Sequence, residues 1–197
     1  MSELLGQVGE LRRKVRADRD VHWFPLLVFG IAVLAAAPAY VVDLPDDLPP
    51  DTVLPRPYGL SYAWWFVVLP AGTLLTLVWY RWRGHRTGLQ TPIGRSVVAG
   101  AGVLLAYLVV SLFPGQPGGV PDQLWAELQT RGALLAIGVL LVLLAAVERD
   151  PLFLAVAAVF TVLAATTNYF GTPGLFGPAA VLLAGALALG VRARARA

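Results

Sequence analysis

Histidine, serine, paired acids and clustered arginines are the residue types from which this chain could build a catalytic, metal or anion site. His22 and His85 are the only two histidines, and a structural metal site wants about four ligands. Haem held between helices would place its histidines inside apolar runs, and neither lies in one. Ser61, in Gly59-Leu60-Ser61-Tyr62, has no histidine or lysine in the neighbouring apolar runs to activate it as a nucleophile. Asp43, Asp46, Asp47 and Asp51 lack the spacing of a calcium loop and sit among Pro45, Pro49 and Pro50, so they read as a solvated segment. Glu148 and Asp150 flank Arg149 ahead of Pro151, a pattern that a helix cap and a local ion pair explain. The chain contains no cysteine, which excludes thiolate ligands, disulfides and cysteine nucleophiles. From these residues we expect a protein that is not an enzyme and carries no cofactor or metal.

Arginine is the residue type with a pattern. Arg12, Arg13, Lys14 and Arg16 form one basic cluster. Arg81, Arg83 and Arg86, interleaved with Trp82 and His85, form a second. Either could hold an anionic lipid headgroup or a phosphate, and either could serve only as a topological stop. No Gly-rich phosphate loop accompanies them. A pI near 9.6 would ordinarily raise nucleic acid as a partner, but the distribution of the basic residues points to lipid instead, with no direct nucleic-acid contact.

The elements that carry these residues follow from hydropathy. The chain has 197 residues, 57% of them hydrophobic and 14% charged. Its mean hydropathy is +0.69. A soluble fold of this size could not cover so much apolar surface, whereas lipid can act as its solvent. Six runs without Asp, Glu, Lys, Arg or His occupy 23–42, 61–80, 97–113, 132–147, 152–167 and 175–191. The expected fold is therefore all-α, a polytopic transmembrane bundle of about six helices over 23–191. Residues 1–22 form a cytoplasmic basic amphipathic helix in this reading, and 192–197 an arginine-rich cytoplasmic tail. The first run is long for a secretory signal, so it is read as retained. The last four runs are short and would thin the bilayer or borrow flanking residues. The segment 121–130 is expected to lie at the interface or to extend the fourth helix outward.

Orientation comes from the same arginines. Alternating the six runs puts Arg12, Arg13, Lys14, Arg16, Arg19, Arg81, Arg83, Arg86, Arg95, Arg149, Arg192, Arg194 and Arg196 on one side. Only Arg56 and Arg131 fall on the other. By the positive-inside rule both ends are cytoplasmic, in the cell membrane of a bacterium. Tryptophan and tyrosine flank the runs as interfacial belts, and Tyr107 alone falls mid-span, where its hydroxyl needs an interhelical partner.

The N-terminal segment adds a pattern of its own. Leu4, Val8, Leu11 and Val15, spaced four, three and four apart, share one helix face. That stripe suits a cytoplasmic protein partner or a second copy of the chain. It also suits a helix lying on anionic lipid, the simpler reading for so short a segment. Two stretches, Phe24-Pro25-Leu26-Leu27-Val28-Phe29-Gly30 after the basic lead and Tyr80-Arg81-Trp82-Arg83-Gly84, resemble a group of small uncharacterised multi-pass membrane proteins of actinobacteria. The resemblance covers mainly residues 1–90. It implies no activity and no site residues. Some members of that group are encoded near winged-helix transcriptional regulators, so the resemblance implies a regulatory or partner-binding role. A non-catalytic interaction or regulatory membrane component is the leading expectation. A small permease or channel subunit for a neutral solute is the alternative, for which Thr73, Thr76, Ser111, Thr161, Thr166, Thr167 and Asn168 offer neutral polarity only.

Overall fold

The computed structural model describes residues 23–42, 60–87, 93–112, 121–166 and 173–196. Among these every element is helical: α1 Trp23–Val42, α2 Leu60–Thr87, α3 Ile93–Leu112, α4 Asp122–Glu148, α5 Pro151–Thr166 and α6 Pro173–Arg196. Each apolar run of the sequence reappears as one helix. Four of them, α1, α2, α4 and α6, are long and apolar enough to cross a membrane. The apolar part of α3, Gly100–Val109, and the whole of α5 are shorter. At 1.5 Å per residue the 16 residues of α5 span about 24 Å, less than a hydrocarbon core of roughly 30 Å.

Four helices run past their apolar stretches, α3 by the turn from Ile93 that carries Arg95. α2 continues to Thr87, so the Arg81–Arg86 segment, which follows the end of the second apolar run at residue 80, is two further helical turns. A single Gly84 disfavours helix by only about 1 kcal/mol, which the surrounding helix outweighs. α4 starts at Asp122, making 121–130 the extension of the fourth helix that the sequence reading weighed against a separate interfacial piece. α6 carries Arg192, Arg194 and Arg196 on its final turns.

The helices form a closed ring in chain order. Each packs on its neighbours in sequence, and the most extensive contact joins α1 to α6. Cross-contacts fix the directions. On α1 and α2, Phe24 stacks on Trp79, while near the opposite end Trp65 meets Tyr40. On α1 and α6, Trp23 lies near Gly190 and Gly30 lies against Leu182 and Leu183. Gly138 faces Thr161 between α4 and α5, with Arg131 reaching Ala165 further along. Gly100 faces Leu140, and Tyr107 lies beside Gly132, between α3 and α4. In each pair one number rises as the other falls, so ring neighbours are antiparallel. An up-and-down ring of six returns the end of α6 to the start of α1.

Packing explains why small residues sit at the closest crossings. Between apolar helices in an apolar solvent there is little hydrophobic drive, so close van der Waals contact does the joining. Gly30, Gly138 and Gly185 each bring a neighbouring side chain to where their own Cβ would stand. The centre is filled by Phe29, Leu69, Leu134, Ile137, Leu141, Phe153, Phe160 and Leu182, all essentially inaccessible. The outside is equally apolar: Ile31, Val67, Leu74, Leu105, Val139, Val162 and Leu187, drawn from all six helices, are exposed. A water-soluble bundle would place charged residues there. This surface suits lipid.

Candidate functional site

Antiparallel packing gathers one end of the ring around arginine. The last turns of α2 hold Arg81, Arg83 and Arg86, the first turn of α3 holds Arg95, the α4–α5 corner holds Arg149, and α6 ends with Arg192, Arg194 and Arg196. At the opposite end Arg131 is the only arginine among the described residues. The sharp α4–α5 corner has a local cause. Arg149 adopts the left-handed conformation (φ 56°, ψ 32°), closing α4. Asp150 caps α5: its Oδ1 accepts from the N–H of Leu152 at 2.9 Å and of Phe153 at 3.3 Å. Pro151 takes the first helical position, as the sequence suggests. The same Oδ1 lies 3.9 Å from Arg192 Nη1, linking the corner to the end of α6.

An aromatic cluster sits beside these charges. Phe24 stacks on Trp79 with ring centroids 4.3 Å apart and planes 14° from parallel. Trp23 meets Trp79 edge-on at 6.1 Å, and Trp82 lies 5.4 Å from Trp79. Rings of this kind favour the headgroup level of a bilayer. Next to them Tyr80 is buried, and its hydroxyl has no hydrogen-bond partner among the described residues. The indole Nε1 of Trp79 is likewise buried with no partner among the described residues. Arg83 follows one turn beyond Tyr80 on the same helix, and Glu148 closes α4.

The middle and the opposite end are chemically quiet. Thr73 and Thr76 are buried, and their hydroxyls donate to the carbonyls of Leu69 and Gly72, each at 2.8 Å. Thr161 and Thr166 donate in the same way to Ala157 and Val162. These four threonines thus spend their protons on their own helices. At the far end Trp65 Nε1 donates to the Tyr40 hydroxyl at 2.9 Å, and Trp64 Nε1 to the Ala32 carbonyl at 3.3 Å. Arg131 donates to the carbonyl of Ala165, covering the end of α5.

Sequence-derived candidates fall unevenly on this frame. Arg81 is exposed, Arg83 half-buried, and Arg86 lies on the last turn of α2. Arg12, Arg13, Lys14, Arg16 and the stripe Leu4, Val8, Leu11 and Val15 lie outside the described residues, as do His22 and the run Asp43–Asp51. His85 is exposed at the end of α2. Among the described residues no group of three or more His, Asp or Glu is placed to hold a metal ion. Tyr107, expected to need a partner, is buried beside Phe66 and Gly132. Sequence reasoning passed over Tyr80 as one more belt aromatic. Its position one turn before Arg83 was the available signal, but its burial required the fold.

Comparison with known proteins gives no family to set beside this geometry: no protein-family model matches the chain. No curated protein and no solved structure is similar to it.

Proposed function

We propose that the chain is a non-catalytic integral membrane protein of a bacterial cytoplasmic membrane, with its N- and C-termini both facing the cytoplasm. Its arginine-bearing end is the face through which it contacts anionic lipid and a cytoplasmic protein partner or a second copy. The observation that carries this reading is the asymmetry of the ring. Every described arginine except Arg131 lies at one end, over an axis packed with Phe, Leu and Ile. Charges at one headgroup level and a dry interior suit recognition at a surface better than chemistry or passage within. Threonines that bond their own backbone give the permease reading no support.

Site-specific photocrosslinking from position 85 and from the 2–20 segment, in native membranes, tests the proposal. A defined protein adduct that disappears when Arg81, Arg83 and Arg86 become Gln supports it. Solute flux through proteoliposomes containing the purified chain alone, with no adduct formed in membranes, would overturn it.

A further inference from the structure

Charged side chains mark where a hydrocarbon layer must end, and the two sides of the ring set those marks at different separations. On α4 the 18 residues from Arg131 to Glu148 include both charged ends and so leave 16 between them. Its antiparallel neighbour α5 also has 16, from Pro151, next to Asp150, to Thr166. At 1.5 Å per residue each stretch is about 24 Å long. On the opposite side of the ring the charge-free runs 23–42 and 61–80 have 20 residues each, about 30 Å.

The two sides do not adjust alike. A helix longer than the hydrocarbon tilts to fit, whereas a shorter one cannot lengthen, and tilt shortens its projection further. A long basic side chain often escapes by reaching outward to water. Arg131 is instead engaged with the carbonyl of Ala165, at the end of α5. Nothing else charged shares its task. The sequence from Pro151 to Val191 holds no charged residue, and the next one upstream on α4 is Glu127. Between the charged ends the outward surface of α4 and α5 is apolar, with Val139, Leu143, Leu154, Val159 and Val162 exposed.

We propose that Arg131 fixes the apolar thickness of the α4–α5 side at about 24 Å, so that this side takes short-chain phospholipid and thins an ordinary bilayer of roughly 30 Å beside it. The inference rests on the reading of the chain as an integral membrane protein. It requires no protein partner and holds for either orientation.

The test reconstitutes the full chain into vesicles of phosphatidylcholine with monounsaturated chains of 14 and 18 carbons in equal amounts, one species brominated at a time. Bromine quenches a fluorophore that it touches. The fluorophore is carried by a single cysteine, Val159→Cys on α5 or Leu74→Cys on α2, both exposed positions. At position 159 the 14-carbon lipid is expected to be favoured by about twofold or more, and at position 74 it is not favoured. Arg131→Met moves the nearest charge back to Glu127, lengthening the charge-free stretch by about 6 Å, and abolishes the preference at 159. Arg131→Lys, which keeps the charge, retains it. No preference at 159, the same preference at both positions, or an Arg131→Met variant that keeps the preference overturns the proposal. Failure of the wild type to float with vesicles of either lipid would instead overturn the membrane reading itself, so the two fail by different results.

Discussion

Asp150 lies against Arg192, its Oδ1 3.9 Å from the guanidinium while also capping α5 through two backbone N–H groups. One side chain therefore terminates a two-residue interhelical corner and ties it to the last helix of the ring. The two roles differ in strength. An N-cap contributes typically about 1 kcal/mol, while an exposed ion pair at this separation contributes roughly 0–1 kcal/mol.

Asp150→Ala is expected to lower stability by about 1–2 kcal/mol, and Asp150→Asn, which retains a capping oxygen, by well under 1 kcal/mol. Arg192→Gln should cost less than Asp150→Ala. Denaturant unfolding of the purified protein in detergent orders the three, and an Arg192→Gln effect larger than that of Asp150→Ala would place the ion pair above the cap.

Glycine-to-alanine changes should separate by what the new methyl meets. At Gly185 it would stand 2.5 Å from Val156 Cγ1, and at Gly138 2.6 Å from Thr161 Oγ1, both on stiff β-branched side chains. At Gly30 the nearest atom is Leu183 Cδ2 at 2.9 Å, the end of a flexible chain. Gly102 and Gly177 meet nothing within 4 Å. Overpacking costs of about 1–3 kcal/mol are expected at Gly185 and Gly138, less at Gly30, and a neutral or slightly stabilising change at Gly102. Unfolding temperatures of the five variants check the order.

Tyr40→Phe removes the acceptor of the Trp65 indole N–H and leaves that donor buried. The expected loss is about 1–3 kcal/mol. Trp65→Phe in the Tyr40→Phe background should then cost less than Trp65→Phe alone, a coupling that a double-mutant cycle measures.

Thr73→Val and Thr76→Val should be tolerated, each changing stability by less than about 1 kcal/mol, because the lost bond is local to the helix and the shape is kept. Two severely destabilised variants, with structure lost in circular dichroism, would show that these hydroxyls serve a neighbouring helix instead.

The number and type of the elements were legible because charge-free runs of 16 to 20 residues need only hydropathy to be found. Asp150 and Pro151 were legible as a helix start because capping chemistry is local. The ends of α2, α4 and α6 were not, since apolarity stops at the headgroups while helical hydrogen bonding does not. At Arg81, the change from apolar to basic residues marks an environment, not a break in the backbone. The arginine end was visible in outline, because sequence alternation alone sorts Arg81, Arg149 and Arg192 together. What could not be read was the burial of Tyr80 at the arginine end, because hydropathy alone does not say which face of α2 the rest of the ring covers.

Sidedness is the most direct test, and the absence of cysteine gives a clean background for it. Single cysteines at His85, Arg149 and Arg194, and one at Arg131 for the opposite end, would be treated with a membrane-impermeant maleimide in intact cells and again after lysis. The account predicts that the first three label only after the membrane is opened, while position 131 labels in intact cells. Labelling of positions 85, 149 and 194 from outside, or recovery of the protein in the soluble fraction without detergent, would contradict it.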